Sequence, residues 1–193
     1  YTAGFLCHLA LDSACHGYVD ERAAEGPISH MAMEGEYDRM LMEDDGLDPC
    51  GRAHLPAAPE DGAVWQAAAR AFVHASPGQV RQAYRAMTFL IGFLARSCGT
   101  KRGRVIGAVS HMLPIRSAKG IALKEEPHPS AAESNADLDR LLERAVEETA
   151  EQLGAFFRAV AAEEPVPAWV DRDFKGNPPH IPSTLRWQEA HSA

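Results

Sequence analysis

The feature that most constrains the fold is a long stretch of helical periodicity between residues 134 and 163. Apolar side chains recur there every three or four residues, which is the spacing that builds one face of an α-helix. The members of this face are Leu138, Leu141, Leu142, Ala145, Val146, Leu153 and Phe156. An apolar helical face has to be buried. We therefore predict a helix that begins at Ser134 or Asn135, ends near Glu163, and packs against other elements.

The rest of the chain also favours helices, because alternating β patterns are absent, Val and Ile are scarce, and Ala is abundant. Five other helices are predicted, over residues 1–16, 30–42, 60–75, 76–96 and 105–113. Gly17 is predicted to end the first of them, and Ser29 is predicted to cap the start of the second. The predicted connections are 20–28, 43–62, 98–104 (a basic turn) and 113–130. The sequence thus predicts an all-α bundle of about six helices in a single domain, 1–193, with a proline-rich extended tail over 165–193.

Composition narrows the classes of partner. The chain has 193 residues, 46% of them hydrophobic, and a formal charge of −8. Extended nucleic acid is disfavoured, since phosphate contacts need clustered Lys and Arg. No apolar run approaches the roughly 20 residues of a membrane span. A small phosphodiester or a phospholipid headgroup remains compatible with this charge, and the sequence indicates no oligomeric state.

The cysteines indicate a compartment. Cys7, Cys15, Cys50 and Cys98 form no C-x-x-C pair. Cys7 and Cys15 would lie about 12 Å apart along a helix, too far for a disulfide. We therefore predict reduced, mostly buried thiols and a cytoplasmic location.

The chemically informative stretch is "GFLCHLALDSACHGYV", residues 4–19. It places His8, Asp12 and His16 at intervals of four, within a helical sector of about 80°. The surrounding residues are largely apolar. A buried imidazole or carboxylate without a partner is costly. This stripe therefore needs either hydrogen-bonding partners or a metal ion.

The second predicted helix repeats the pattern with His30 and Glu34, and Asp38 follows at the same interval. If the two helices pack antiparallel, three imidazoles and two carboxylates face one space, a donor set that suits Zn²⁺ and also Mn²⁺ or Fe²⁺. Either pair alone is typical of ordinary polar helix surfaces. Two pairs on consecutive helices, one extended by a third histidine, favour a metal site. Tyr18 and Tyr37 flank it, where they would either donate hydrogen bonds to a phosphate or cap the core.

The segments "GFLCHLALDSACHGYV" and "ISHMAMEGEYDRMLM" resemble the core of the zinc-dependent phospholipase C family, and "SAAESNADLDRLLERAVEETAEQLGAFF" and "FKGNPP" resemble its small bacterial members. The resemblance implies an all-helical phospholipase C or nuclease-like fold, with one to three zinc ions that support phosphodiester hydrolysis. By the same resemblance Asp12 would bridge two metals. His8 and Asp12 would belong to the part of the cluster that lies beside the zinc described next.

The resemblance further implies that His16, His30 and Glu34 hold one zinc together. Family members take additional ligands from a segment upstream of the first helix, and this sequence starts at Tyr1 without that segment. If that segment is absent, we expect only part of the cluster to form, with a single zinc at His16, His30 and Glu34, and no residue is assigned as general base. Two alternatives stay open: a non-catalytic helical metal-binding or interaction protein, and a hydrolase of nucleotides or nucleic-acid ends.

Overall fold

The computed structural model describes residues 1–72, 74–112 and 119–178. Within these ranges the chain forms α-helices and no β-strand, which confirms the all-α prediction. The helices are α1 (Thr2–Glu25), α2 (His30–Asp44), α3 (Gly62–Ala69), α4 (Pro77–Ala95), α5 (Lys101–Met112) and α6 (Ala131–Ala161), followed by a 3₁₀ turn at Ala168–Asp171.

Helix α1 runs well past its predicted end. It continues through Gly17 to Glu25, so the predicted stop and most of the predicted loop 20–28 were wrong. A glycine inside a helix costs only about 1 kcal/mol relative to alanine. Tertiary contacts offset that cost, because Val19 is 1% exposed and the Tyr18 hydroxyl donates to Asp137 at 2.7 Å.

Capping fixes the starts of α3 and α4. The Asp61 carboxylate accepts the Ala63 N–H at 2.8 Å and begins α3, which ends at Ala69 rather than at the predicted residue 75. Tight i→i+3 hydrogen bonds close its last turn. Ser76 and Gln79 form a reciprocal capping box at the start of α4, which confirms the predicted N-cap.

The later elements depart from prediction in smaller ways. The predicted basic turn over 98–104 is in fact partly the first turn of α5, which begins at Lys101. Helix α6 begins at Ala131, a few residues before the predicted cap. The 3₁₀ turn interrupts the predicted extended tail, of which residues 179–193 lie outside the described ranges. No helix in the described ranges combines the length and apolar character needed to cross a bilayer.

The chain divides into two compact units. Among the described residues, unit 1 contains 1–25 and 136–178, and unit 2 contains those between 26 and 135. Unit 1 thus holds α1 and most of α6, and its buried apolar residues include Leu6, Leu9, Ala10, Val19, Leu138 and Ala145. Unit 2 holds α2 through α5.

Unit 2 contains a buried charged pair on α2. The Arg39 guanidinium donates from Nε to Glu36 at 2.9 Å, and both side chains are less than a tenth exposed. Arg39 also donates to the backbone carbonyls of Lys124 and Glu125. Asn135 donates its amide to the Glu36 carbonyl oxygen at 3.1 Å. Buried charge is tolerated only when it is paired and hydrogen-bonded, so this network joins α2 to the 119–130 connection.

A glycine makes the same connection fit against α2. Gly120 has φ +84°, and a Cβ there would lie 2.6 Å from the Ala32 Cβ and 2.7 Å from the Ser29 Oγ. The Ser29 hydroxyl in turn donates to the Lys119 carbonyl at 2.8 Å. Only glycine satisfies both the left-handed backbone and the close approach.

The prediction that all four cysteines are reduced was wrong for two of them. Cys50 and Cys98 form a disulfide, with their Cα atoms 5.2 Å apart. Cys7 is exposed, and Cys15 is partly buried, with its thiol pKa raised to about 11 by burial and by the nearby Asp12 charge. Disulfides persist mainly in oxidising compartments, and the cytoplasmic location stays a prediction.

Candidate metal centre

The three predicted ligands of the first helix all lie on α1. Because α1 is continuous from Thr2 to Glu25, His8, Asp12 and His16 keep the register of four residues. His8 contacts Asp12 directly, with Nε2 3.2 Å from the Asp12 Oδ2. The His8 side chain is 62% exposed and that of Asp12 is 17% exposed. The carboxylate is therefore the sheltered member of this pair.

His16 is oriented by a residue far away in the sequence. Its Nδ1 lies 3.0 Å from the backbone carbonyl oxygen of Phe174. A carbonyl oxygen only accepts hydrogen bonds, so Nδ1 carries the proton. In the neutral ring, Nε2 then carries the lone pair. Metal-binding histidines generally donate their other ring N–H to a carbonyl or carboxylate in this way.

The two predicted ligands of the second helix lie within the first turns of α2. The Nε2 atom of His30 lies 3.1 Å from Glu34 Oε1, with side-chain exposures of 30% and 38%. Asp38 follows on the same helix, and the residue as a whole is exposed. Partial desolvation of its carboxyl group and the nearby charge of Glu34 raise the pKa of Asp38. These acidic groups give α2 a concentrated negative charge next to an imidazole, which favours a bound cation.

The donor set fits zinc. Nitrogen and oxygen ligands at about 2.0–2.1 Å from a tetrahedral zinc lie about 3.3 Å from each other. The His8–Asp12 and His30–Glu34 contacts, at 3.2 and 3.1 Å, have this separation. The same separations are also those of direct hydrogen bonds.

Protonation distinguishes the histidines chemically. A carboxylate accepts hydrogen bonds, so its contact with the Nε2 of His8 or His30 places a proton on that nitrogen. Either ring would then bind a metal through Nδ1, with the carboxylate behind it, or lose the Nε2 proton on binding. For His16 the proton lies on Nδ1, so in the neutral ring a metal would bind through Nε2.

One flanking tyrosine has a structural partner. The Tyr18 hydroxyl donates to Asp137, and burial together with this hydrogen bond raises the tyrosine pKa to about 12. Asp137 also accepts from Arg140. Of the two interpretations of Tyr18, the structure supports capping of the core, since the phenol proton is directed at Asp137.

A cavity of unit 2 lies elsewhere. It has a volume of about 520 Å³ and is lined by residues 99–108, mostly on α5, and by the segment 122–126. None of the five predicted ligands lines it. The predicted metal chemistry therefore does not draw on this cavity.

Sequence reasoning missed the residues that orient His16. The relevant segment, Asp173 to Asn177, lies in the tail, and its sequence was noted only as part of the family resemblance. The glycine at 176, between polar residues, was the available signal for a tight turn.

Comparisons with protein-family models, with curated proteins and with solved structures each found no match for this chain. The chain's own residues therefore carry the functional proposal.

Proposed function

We propose that the chain is a zinc-dependent hydrolase of phosphodiester bonds, similar in type to phospholipase C, with His8, Asp12, His16, His30 and Glu34 as its metal ligands. The observation that carries the proposal is the hydrogen bond from His16 Nδ1 to the Phe174 carbonyl. This contact places the proton on Nδ1, which is the arrangement that metal-binding histidines commonly have when they bind through Nε2.

The charges around these residues agree with a cationic ligand. Both helices carry an imidazole next to a carboxylate, and Asp38 adds a further acidic group beside Glu34. When bound, zinc supplies Lewis-acid stabilisation of the phosphoryl oxygens and activates water as a nucleophile. The five residues would hold the metal, and any imidazole proton that the metal displaces would pass to the adjacent carboxylate or to water.

The overall charge bears on the size of the substrate. A net charge of −8 disfavours long polyanions and is compatible with a single phosphodiester. We propose a small phosphodiester, such as a phospholipid headgroup, as the substrate. Nucleotides and nucleic-acid ends are the competing substrates.

A non-catalytic metal-binding protein is the second candidate. It is favoured by the position of the 520 Å³ cavity of unit 2, because none of the five predicted ligands lines it. In that case zinc would only stabilise the folded chain.

The first experiment is elemental analysis of the purified chain after reconstitution with zinc, followed by hydrolysis assays. The assays use a chromogenic phosphodiester, a glycerophosphodiester with a phospholipid headgroup, and a dinucleotide. The variants are His16→Ala, Glu34→Gln and the control His74→Ala, which changes an exposed histidine outside the predicted set.

The proposal expects at least one zinc per chain and hydrolysis that the control keeps and the two ligand variants lose. Zinc binding without hydrolysis of any substrate would overturn the enzyme and support the metal-binding protein. A chain that binds no zinc would overturn both candidates.

A further inference from the structure

The segment that contacts His16 is a short loop of unit 1, residues 173–177 with the sequence DFKGN, whose shape is fixed by its own hydrogen bonds. We call it the FKGN loop. We propose that the FKGN loop is a positioning element, which holds the Phe174 carbonyl against His16 Nδ1 and thereby keeps Nε2 as the metal-binding nitrogen. The proposal rests on the proposed metal site, but the contact itself is testable in the metal-free chain.

Asp173 organises the loop from within. Its Oδ1 accepts the backbone N–H groups of Lys175 and Asn177, both at 2.9 Å, and its Oδ2 accepts the Asn177 side-chain amide at 2.9 Å. The backbone closes the turn through the Gly176 N–H to the Asp173 carbonyl, also at 2.9 Å. These donors, the Asn177 amide above all, lower the pKa of Asp173. The loop therefore has a defined shape of its own.

The loop is seated on α1 by aromatic contacts. The Phe174 ring lies 6.1 Å from the Phe5 ring in an edge-on arrangement and 5.7 Å from the imidazole of His8. Lys175 forms an exposed ion pair with Asp20. Aromatic pairs of this kind add stability beyond the burial of their surface, whereas exposed ion pairs contribute little. The phenylalanine, rather than the lysine, therefore holds the loop in place.

Gly176 brings the loop backbone close to α1, one turn before His16. Its φ is +78°, and a Cβ there would lie 2.8 Å from the Ser13 carbonyl oxygen. Any other residue would have to push the loop away from the helix. The approach that this glycine permits is the one that places the Phe174 carbonyl within 3.0 Å of His16.

The chemical consequence is a choice of tautomer. Without the carbonyl, the proton of a neutral imidazole can occupy either nitrogen. With the carbonyl at Nδ1, the proton is held there and Nε2 is left to accept. Removal of such an outer partner typically weakens metal binding by about 10–100-fold.

The test uses the whole chain, labelled with ¹⁵N and free of metal. Long-range ¹H–¹⁵N correlation spectra report which ring nitrogen of His16 carries the proton. The variants are Asp173→Ala, which removes the acceptor that shapes the loop, and Gly176→Ala, which forces the loop off α1. Asp173→Asn is the conservative rescue, since its amide oxygen still accepts the two backbone N–H groups. Lys175→Ala is the matched control, because its exposed side chain does not shape the loop.

Zinc affinity is then measured by competition with a chromophoric chelator, and circular dichroism verifies that each variant is folded. We expect wild type, Asp173→Asn and Lys175→Ala to carry the proton on Nδ1. We expect Asp173→Ala and Gly176→Ala to lose that preference and to bind zinc about 10–100-fold more weakly.

Two results would overturn the positioning role: a wild-type His16 with its proton on Nε2, or a folded Asp173→Ala variant with an unchanged tautomer. If the wild type binds no zinc, the proposed function fails together with the role of the loop in metal binding. The tautomer measurement then still establishes whether the loop orients His16, so the two failures are distinguishable.

Discussion

The two helices that carry the predicted ligands are held by different means. In unit 1, His16 on α1 is oriented by a hydrogen-bonded loop from the tail, a contact between residues 158 positions apart. In unit 2, α2 is anchored by the buried Glu36–Arg39 pair, and its His30–Glu34 contact lies within a single turn. The same spacing of four residues thus occurs in two different environments.

This difference shows that the spacing of the candidate ligands does not determine which ring nitrogen of each histidine carries the proton. His16 has a tautomer compatible with metal binding, whereas the contact of His30 with Glu34 places a proton on Nε2. At α2 a metal would then bind through His30 Nδ1, with Glu34 behind the ring, or displace the Nε2 proton. Four predictions test this comparison, from the largest expected effect to the smallest.

The largest effect is expected at the buried pair that anchors α2. Arg39→Met leaves the Glu36 carboxylate buried without its partner, and we expect a loss of about 3–5 kcal/mol in the free energy of unfolding. Urea unfolding followed by circular dichroism measures it. The double variant Glu36→Leu with Arg39→Met should recover much of the loss. A single variant as stable as wild type would show that the pair does not anchor α2.

The disulfide of unit 2 should come next. It joins residues 48 positions apart, and closing such a loop is worth about 4 kcal/mol in the chain-entropy model. We expect the Cys50→Ser, Cys98→Ser double variant to unfold at lower urea concentration by up to this amount. A reductant should have the same effect on wild type and none on the double variant. If the reductant destabilised wild type and the double variant equally, its effect would come from a group other than the Cys50–Cys98 disulfide.

Zinc should distinguish the ligands of α1. A ligand present at about 100 times its Kd stabilises the folded chain by about 2.7 kcal/mol. We expect His16→Ala to lose this zinc-dependent increase in Tm. His8→Ala should lose less of it, because the His8 side chain is 62% exposed and less well held. A greater loss in His8→Ala would reverse the order that the structure implies.

The smallest effect concerns Tyr18 in unit 1. The raised pKa, about 12 against 10 in the unfolded chain, means that the folded state retains the phenol proton longer. Its contribution to stability is therefore full below pH 10 and declines as the pH rises through 12. Tyr18→Phe should cost about 1 kcal/mol at pH 7, where a hydrogen bond is lost.

The difference in stability between wild type and Tyr18→Phe should shrink between pH 10 and pH 12, measured by urea unfolding at each pH. A constant difference across this range would mean that the hydrogen bond to Asp137 does not control the phenol proton.

Local sequence determined much of the fold. The periodicity of α6 and the Ser76–Gln79 capping box act within a few residues, so they are readable without a structure. The same holds for the register of His8, Asp12 and His16, which depends only on helix geometry. Helix ends were less predictable: α1 passes through Gly17 because packing of Val19 outweighs a modest local preference.

The sequence by itself thus determined the helices and the faces on which the candidate ligands lie. The tertiary structure decided which groups meet: Phe174 with His16, Cys50 with Cys98, and Arg39 with the carbonyl of Lys124. These partners are 158, 48 and 85 positions apart. Backbone carbonyls and glycines have no periodicity that marks them as partners, and long-range contacts depend on the path of the whole chain. The candidate metal ligands were therefore visible in the sequence, while the contacts that orient their side chains were not.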